Sequence, residues 1–469
     1  MIRSRYCPPG RWKWLAAIWA SGETEARQAL VPVTLAELRQ FRREGALVDA
    51  LSQDGFALAL MEAIRKGATM WLEGAGEIRC RKTPLFDQIA LPERFVARRI
   101  GAEQSNTSIV FDDYGMLKVY RRLQPGSHPE IEMSRFLVEQ AGFANTPPLL
   151  AFMELDLDAD GPQTHALGVL FGFVRNQGDG WTQALDYLTR YLDDALSTGT
   201  HASDLPDPDV FFLSLARQLG IRTAEMHRAL AEGGADDPDF APEPITAEDI
   251  GQWRRELEAS AAEMFAKLER ERARLPASAQ ELVERLIADR DTLFHLIRTL
   301  IPHKAEAQKT RYHGDFHLGQ VLAVKNDFFI IDFEGEPARP LADRRRKSSP
   351  LRDVAGMIRS FDYASFTAVR QLAEARPAAE PRMLELAEAW RQRAVDGFRA
   401  AYRKAMRGCA AYPTSKIQAR RMVAFFTLEK AIHEVSYELA NRPSWVDIPL
   451  KGVLGIMART EGAEHAAAA

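Results

Sequence analysis

The chain has 469 residues, of which 46% are hydrophobic and 27% charged, and its formal net charge is −4. This composition is typical of a globular protein with a large core, and the charge lacks the basic excess of a nucleic-acid-binding protein. The three cysteines, Cys7, Cys80 and Cys409, lie far apart, without the spacing of a zinc site or a disulfide framework. We find neither a signal-peptide pattern nor a run of about 18 apolar residues that would span a membrane. We therefore expect a cytoplasmic protein with no membrane or nucleic-acid partner.

Three regions with different patterns divide the chain, which agrees with about 100–200 residues per domain. Residues 1–98 alternate apolar stretches with turn residues, and we expect them to form a small N-terminal cap subdomain with one amphipathic helix. Residues 99–175 are typical of a twisted sheet with one inserted helix, a β-rich N-lobe. Residues 176–469 indicate a mostly helical C-lobe. The predicted fold class is therefore α+β.

The middle region predicts a β-hairpin followed by a helix. Ser108–Asp112 and Met116–Arg121 are two β-prone runs that a tight turn joins. A helical pattern then extends from about residue 129 to residue 140, and Gly142 ends it. The apolar segment Ala166–Val174 predicts a further strand of the same sheet.

The C-terminal region predicts a series of helices. Thr246 with Asp249 is a variant of the capping box that begins a helix, and Pro276 ends that helix. Ser278 with Glu281 predicts the start of the next helix. The two helices are expected to form an antiparallel pair.

The strongest functional signal is the segment His313–Gln320, with the sequence HGDFHLGQ. Phosphoryl transfer needs a carboxylate that orients the acceptor hydroxyl, and oxygen ligands that hold magnesium against the phosphates of ATP. Asp315 and Gln320 have the five-residue spacing that protein kinases place between the catalytic Asp and a metal-binding Asn, and an amide oxygen suits a hard cation. A predicted hairpin over residues 321–331 leads to Asp332, which we expect to be the second metal ligand.

A lysine in the predicted sheet supplies the upstream half of this pattern. Lys118 lies in the middle of its strand, where it can reach the α- and β-phosphates, and Glu132 in the following helix is the preferred ion-pair partner, with Glu130 as the alternative. No GxGxxG loop precedes the lysine, but the small polar segment 101–107 offers backbone amides that can hold phosphates. The residues of this segment that we assign to the nucleotide are Ser105, Asn106 and Thr107.

The segment Tyr312–Tyr363 resembles the bacterial maltokinase family, whose domain is also found fused behind trehalose synthase. The resemblance is carried by HGDFHLGQVL, IDFEGEPARPL and SPLRDVAGMIRSFDY in this segment, by EQSNTS and LKVYRRL upstream, and by LEKA, YEL and NRP towards the C-terminus. It extends from about residue 40 to residue 455. Met1–Trp19 departs from the family pattern, and the resemblance therefore predicts a truncated or fused N-terminus.

The resemblance implies a bilobal protein-kinase-like fold, close to that of aminoglycoside kinases, with ATP and Mg²⁺ bound between the lobes. It implies transfer of the γ-phosphate of ATP to the anomeric hydroxyl of maltose, with trehalose synthase as a partner or fusion. Asp315 is then the catalytic base, Gln320 and Asp332 bind the metal, and Lys118 binds ATP. We further assign Glu132 and Val174 to the nucleotide, and His317, Glu334, Lys430, Glu434 and Tyr437 to the sugar.

Several residues in this pattern have a second interpretation. His313, Asp315 and His317 alternate along the chain, so a zinc-dependent hydrolase is an alternative, although the kinase pattern instead has His313 brace the loop and His317 line the acceptor pocket. Arg352 and Asp353 begin a helix, where bracing of the loop is favoured over substrate contact.

Other interpretations concern the sugar site and the acceptor. Lys430, Glu434 and Tyr437 have i, i+4, i+7 spacing on one helix face, which is typical of either a sugar site or simple support of the helix. Glu334 contributes to either the loop structure or the site. A kinase for aminoglycosides or choline, and a non-catalytic partner domain of trehalose synthase, remain alternative functions.

Overall fold

The computed structural model describes residues 15–19, 34–40, 43–72, 76–100, 106–157, 163–198, 210–234 and 236–468. Cys7 and the assigned Ser105 lie outside these residues. The chain divides into two compact units, of which unit 1 comprises residues 1–138, 146–175 and 339–343, and unit 2 comprises the remainder.

Unit 1 is built on an antiparallel sheet of seven strands in the order β4-β5-β9-β10-β8-β7-β6. A smaller sheet has the order β1-β3-β2. The amphipathic helix α1 buries Leu60 and Ile64 in the same core as Ile78 of the large sheet. The elements are β1 (Leu15–Trp19), β2 (Thr34–Gln40), β3 (Arg43–Asp49), α1 (Asp54–Lys66), β4 (Thr69–Leu72), β5 (Gly76–Lys82), β6 (Ala97–Ile100), β7 (Asn106–Phe111), β8 (Gly115–Tyr120), α2 (Pro129–Arg135), β9 (Leu149–Leu157) and β10 (Gln163–Gly172).

The strand pairing corrects the predicted boundary between residues 1–98 and residues 99–175. β5 pairs with β9 from Glu77 opposite Asp156 to Lys82 opposite Ala151, and β4 pairs with β5. Because β4 and β5 thereby satisfy their backbone groups in the large sheet, the boundary at residue 98 falls inside one continuous sheet.

The predicted hairpin and helix of the middle region are confirmed. β7 and β8 pair as neighbours, with Ser108 opposite Lys118. α2 continues as one π-helical turn over Phe136–Gln140, and Gly142 follows with φ of +66°, a left-handed conformation that favours glycine. The strand predicted over Ala166–Val174 is β10, which ends at Gly172.

The rest of the chain is mostly helical, with two short antiparallel strand pairs. None of its described helices has the length and apolarity needed to cross a bilayer. The elements are α3 (Gly180–Thr198), α4 (Val210–Glu232), β11 (Glu243–Pro244), α5 (Ala247–Glu271), α6 (Ala277–Ala288), α7 (Arg290–Leu300), β12 (Gln308–Lys309), β13 (Val321–Val324), β14 (Asp327–Ile330), α8 (Leu341–Arg344), α9 (Leu351–Ala373), α10 (Glu380–Ala405), α11 (Lys416–Asn441) and α12 (Asp447–Ala468).

The helix starts in unit 2 confirm one prediction and correct another. The Thr246 hydroxyl accepts a hydrogen bond from the Asp249 N–H, and the Asp249 carboxylate accepts one from the Thr246 N–H, so the capping box begins α5 as predicted. Ser278 does not begin α6, because Pro276 takes the N-cap position and the helix starts at Ala277. Pro276 has φ of −55° and ψ of 148°, so it lies just outside the helix and precedes its first turn.

The contact between α4 and α10 depends on a glycine. A Cβ atom at Gly220 of α4 would lie 2.3 Å from the backbone oxygen of Phe398 in α10. Such a separation is impossible without moving the helices apart, because the obstructing atom belongs to the backbone. The glycine therefore sets how closely the two helices pack.

We expect Gly220→Ala to lower the free energy of unfolding by about 2 kcal/mol, because overpacking at a helix contact outweighs the better helix propensity of alanine. Gly251→Ala in α5 is the matched control, since the nearest atom to its Cβ is the end of the Arg255 side chain at 3.3 Å. This control should gain up to about 1 kcal/mol. Urea denaturation of the two variants and the wild type measures both changes, and equal effects would contradict the packing explanation.

Candidate active site

The predicted catalytic loop lies against one face of helix α9. The Leu318 N–H donates to the Ser360 hydroxyl at 3.0 Å, and a Cβ atom at Gly356 would lie 2.6 Å from the backbone oxygen of Phe316. Asp353 completes this face, since residues at i, i+3 and i+7 of a helix align. The predictions from sequence included Asp353 but missed Gly356 and Ser360, although their helical spacing within one motif was a usable signal.

Asp353 binds the backbone of the loop. Its carboxylate accepts hydrogen bonds from the His313 N–H at 2.7 Å and the Gly314 N–H at 2.9 Å. The same carboxylate lies 3.0 Å from Nε2 of His227, whose Nδ1 lies 2.9 Å from the Tyr402 hydroxyl. Asp353 is 2% exposed and His227 is fully buried. These contacts brace the loop, which is the role that the sequence favoured for Asp353. His227 and Tyr402 were not identified from the sequence.

His313 also braces the loop, as the kinase interpretation proposes. Its Nε2 donates to the Ile331 carbonyl at 2.9 Å, and its ring lies 5.1 Å from the ring of Phe316 and 5.0 Å from that of Phe333. The His317 Nδ1 accepts a hydrogen bond from the Gly319 N–H at 3.1 Å. Because backbone groups occupy these ring nitrogens, the arrangement does not favour the zinc-hydrolase alternative. Within the described residues, no three His, Cys, Asp or Glu side chains form a metal-binding group.

The hairpin β13–β14 brings Gln320 and Asp332 together. The Gln320 Nε2 donates to Oδ2 of Asp332 at 2.9 Å, and the Ile331 N–H donates to the Gln320 carbonyl at 3.0 Å. Asp332 has a φ of +68°. A non-glycine residue in this left-handed region carries strain of about 1–3 kcal/mol, and such residues cluster at functional sites. The contact is direct because Gln320 precedes β13 and Asp332 follows β14, and Val321 lies opposite Ile330 at the same end of the hairpin.

Asp315 forms an ion pair with Lys430 of α11. The Lys430 Nζ lies 3.3 Å from Oδ1 of Asp315, and both side chains are partly exposed. Burial alone would lower the pKa of Lys430, but the carboxylates of Asp315, Glu434 and Glu336 raise it above its ordinary value. Lys430 is therefore a stable cation beside the predicted base. Burial lowers the pKa of His317, although the neighbouring Asp315 carboxylate acts against this shift.

The other two residues assigned to the sugar on α11 have different surroundings. Glu434 accepts a hydrogen bond from Nε of Arg359 at 2.8 Å, and Arg359 is only 1% exposed. Burial raises the pKa of Glu434, against the opposing effect of the Arg359 and Lys430 cations. Tyr437 is 51% exposed, and the guanidinium of Arg442 lies 5.8 Å from its ring. Glu434 thus belongs to a buried ion network, whereas Tyr437 lies on the surface.

The acidic residues after Asp332 also form ion pairs. Glu334 is 7% exposed, and its Oε2 lies 3.9 Å from Nη1 of Arg344. Glu336 lies 2.8 Å from Nε2 of His433. The contact with Arg344 gives Glu334 a structural role in its loop, and its assignment to the substrate remains a prediction.

In unit 1, Lys118 is buried and forms an ion pair. Its Nζ lies 3.1 Å from Oε2 of Glu130, which is 1% exposed, and the Tyr120 hydroxyl donates to the same carboxylate. This pairing corrects the preference for Glu132, because Glu130 lies on the side of α2 that faces the lysine. We therefore assign the positioning of Lys118 to Glu130.

The phosphate-binding loop predicted over residues 101–107 is corrected at its end. Asn106 and Thr107 are the first residues of β7, opposite Tyr120 and Val119 of β8, and both are 5% exposed. The Thr107 hydroxyl accepts a hydrogen bond from Nε of Arg121 at 2.8 Å. Asn106 and Thr107 therefore belong to a paired strand and not to a loop. Val174 lies two residues beyond the end of β10, and its assignment to the nucleotide remains a prediction.

The chain is similar in sequence to two known kinases. No family model matches the chain. A glucosamine kinase from Streptacidiphilus jiangxiensis is 28% identical over 358 residues, which cover 75% of this chain and 71% of that protein. A glucosamine kinase from Mycolicibacterium smegmatis is 25% identical over 355 residues, which cover 75% and 77% respectively.

A solved structure agrees with these relatives. It is a glucosamine kinase in complex with glucosamine, ADP and inorganic phosphate, with a TM-score of 0.66 at 22% identity, covering 91% of this chain and 92% of that one. This chain has the fold of that kinase. The predicted α+β, kinase-like fold class is thereby confirmed.

We expect Asp353→Asn to lower the free energy of unfolding by about 3 kcal/mol, because the amide NH₂ would face hydrogen-bond donors in a buried site in either orientation. Glu374→Gln, at the exposed C-terminal end of the same helix, is the control and should change stability by less than about 0.5 kcal/mol. Guanidinium denaturation measures both changes. An Asp353→Asn protein as stable as the control would contradict the bracing role.

Proposed function

We propose that this protein is an ATP-dependent sugar kinase that phosphorylates a hydroxyl group of an amino sugar. The observation that carries the proposal is the braced loop, which presents Asp315 beside Lys430 and leads through a hairpin to the paired Gln320 and Asp332. A phosphotransferase needs these groups, and a hydrolase with zinc does not. The sequence similarity to two glucosamine kinases supports the same reaction class.

Asp315 acts as the base in this proposal. Its carboxylate accepts the proton of the acceptor hydroxyl as that oxygen forms a bond to the γ-phosphorus of ATP, and the bond from this phosphorus to the oxygen bridging to the β-phosphate breaks. Lys430 holds the carboxylate in position through the ion pair at 3.3 Å. His317, close enough for the charges of Asp315 and Lys430 to act on its ring, contacts the acceptor.

Gln320 and Asp332 are the residues that would hold Mg²⁺. Their oxygens are of the hard type that this ion prefers, and the hydrogen bond between them keeps the two side chains adjacent. Two protein ligands suffice, because Mg²⁺ usually keeps several waters and binds the phosphates of the nucleotide as well. When bound, the ion neutralises the charge that develops on the phosphate oxygens.

Lys118 binds the nucleotide phosphates in this proposal, and Glu130 orients it. A buried lysine held by the Glu130 carboxylate has a fixed direction, which suits a phosphate contact. The assignment of Val174 and of the segment around Asn106 to the nucleotide comes from the sequence and stays a prediction.

The similarity to two glucosamine kinases favours an amino sugar as the acceptor. The carboxylates of Asp315, Glu434 and Glu336 act on Lys430, and two of them have further partners, Arg359 for Glu434 and His433 for Glu336. A carboxylate in this region would attract the ammonium group of such a sugar more strongly than a neutral hydroxyl. Maltose, with phosphorylation at its anomeric hydroxyl, is the second candidate, and the motifs shared with maltokinases over Tyr312–Tyr363 favour it. A trehalose synthase partner stays a prediction of that resemblance.

Purified protein incubated with ATP, Mg²⁺ and either glucosamine, glucose, maltose or an aminoglycoside tests the function, with ADP release and the phosphorylated product both measured. We expect the highest kcat/KM with glucosamine. Asp315→Asn should lower kcat by about 10²–10⁴-fold, because it removes the general base, while ATP binding is retained. Glu374→Gln is the control, with activity like that of the wild type. Phosphate transfer to no acceptor would sink the proposal, and preference for maltose would move it to the second candidate.

Asp332→Asn separates the metal role from the base role. We expect it to weaken ATP binding at least tenfold in the presence of Mg²⁺ and to leave the weaker metal-free binding unchanged, because the amide loses the negative charge that attracts the ion. Calorimetric titration with ATP, with and without Mg²⁺, measures this. Equal ATP affinity of variant and wild type in the presence of Mg²⁺ would rule out the metal role of Asp332.

A further inference from the structure

A surface cavity of about 770 Å³ lies in unit 2, where α10 ends and α11 begins. Its volume lies within the range of about 300–1,000 Å³ typical of small-molecule sites. Three of its lining side chains are exposed cations. The lining residues that matter here are Arg403, Arg407, Tyr412 and Lys416.

Cations outnumber carboxylates among the lining side chains of this cavity, since Glu306 is the one acidic lining residue and the Thr414 hydroxyl donates a hydrogen bond to it at 3.4 Å. Among the described residues, no ion pair forms with Arg403, Arg407 or Lys416. The basic run that begins at Arg344 differs, since Arg345 pairs with Asp239 at 3.1 Å and Lys347 with Glu243 at 2.8 Å. An excess of positive charge therefore collects at the cavity.

Neighbouring arginines add to this excess. Burial raises the pKa of the Tyr412 phenol, whereas the positive charges of Arg403, Arg399 and Arg420 act to lower it. Burial also lowers the pKa of Arg399, and the like charges of Arg420 and Arg403 contribute to that shift against the opposing effect of the Asp396 carboxylate. Cations that crowd one another in this way are stabilised by an anion.

The cavity also lies at the N-terminus of a long helix. Lys416 is the first residue of the 26-residue helix α11, and the Ser415 hydroxyl caps it by accepting a hydrogen bond from the Gln418 N–H. The N-terminus of a helix carries a partial positive charge of about half a unit, which adds to the attraction for an anion. The same helix carries Lys430, the partner of Asp315.

A chain of buried contacts connects the cavity to the catalytic loop. The ring of Tyr412 meets that of Tyr402 edge to face at 6.0 Å, and the Tyr402 hydroxyl lies 2.9 Å from Nδ1 of His227. His227 in turn contacts Asp353, whose carboxylate holds the backbone of His313. A displacement of Tyr412 therefore reaches the loop through three side chains.

We propose that this cavity binds a small phosphate monoester, such as a sugar phosphate, and that its occupancy alters turnover at the catalytic loop through Tyr402, His227 and Asp353. A dianionic phosphate matches the cluster of cations, and the remaining volume and the Tyr412 ring accommodate a sugar-sized group. The binding of a phosphate monoester does not depend on the kinase function, whereas the effect on turnover rests on the proposed kinase function.

Calorimetric titration of the full chain with glucose 6-phosphate, inorganic phosphate and uncharged glucose tests the binding. We expect glucose 6-phosphate to bind, glucose not to bind, and the double variant Arg403→Ala/Arg407→Ala to bind the phosphate monoester at least tenfold more weakly. Lys404→Ala is the matched control, because this exposed neighbour on α10 is not part of the cavity lining. An unchanged affinity in the double variant overturns the site, and binding of inorganic phosphate alone overturns the assignment to a monoester.

Turnover with and without glucose 6-phosphate tests the coupling. We expect the compound to change kcat at least twofold in the wild type and in Lys404→Ala, but not in Arg403→Ala/Arg407→Ala. Tyr402→Phe keeps the ring but removes the hydroxyl, so it should bind the compound and lose most of its effect on kcat. An effect that persists in Tyr402→Phe, or is absent from the wild type, overturns the coupling. Should no acceptor be phosphorylated at all, the kinase proposal fails while the titration still decides the cavity.

Discussion

One buried carboxylate, that of Asp353, holds together the part of the protein on which the proposed chemistry depends. It accepts two backbone N–H groups from the start of the catalytic loop and contacts His227. A loop of this kind has few backbone partners of its own, so its N–H groups would be unsatisfied in the interior without such an acceptor. Because the carboxylate is rigidly placed on α9, the position of the loop follows that of the helix rather than the motion of the solvent-exposed chain. The bracing fixes the backbone just before Asp315 and uses no hydrogen bond of the Asp315 carboxylate.

The geometry of the proposed metal ligands has a different origin, in the short hairpin that follows the loop. Gln320 precedes β13 and Asp332 follows β14, so antiparallel pairing returns the chain to its starting point. The left-handed conformation of Asp332 then turns its side chain towards Gln320, at an energetic cost that the surrounding contacts must offset. The loop thus positions the base and the hairpin positions the metal ligands, and His313 links the two through its hydrogen bond to the Ile331 carbonyl. A change in the bracing by Asp353, which holds the His313 backbone, is therefore expected to reach both Asp315 and Asp332.

Features set by neighbouring residues were predictable from the sequence, and features set by packing were not. The β7–β8 hairpin, the capping box at Thr246 and the spacing of Asp315, Gln320 and Asp332 are local, so their patterns are visible in short segments. The pairing of β5 with β9 joins residues that are 69 to 79 positions apart, and the sequence of neither strand indicates which strand it pairs with. Glu130 and Glu132 lie about 200° apart around their helix, so only the direction in which α2 packs decides which one meets Lys118. His227 escaped notice for the same reason, since its partners Asp353 and Tyr402 come from two other helices.

The loop and hairpin motifs indicate the class of reaction better than they indicate the acceptor, and helix α11 shows why. The phosphotransferase pattern lies in the loop and hairpin, whereas three of the residues assigned to the sugar, Lys430, Glu434 and Tyr437, lie on α11. The ion pair of Lys430 with Asp315 fixes the distance of this helix from the base, and the buried pair of Glu434 with Arg359 fixes its rotation. Two such contacts on adjacent turns leave the helix axis little freedom. A different acceptor must then be accommodated by exchanging side chains on an unmoved helix, so that the same loop motif serves sugars of different charge and size.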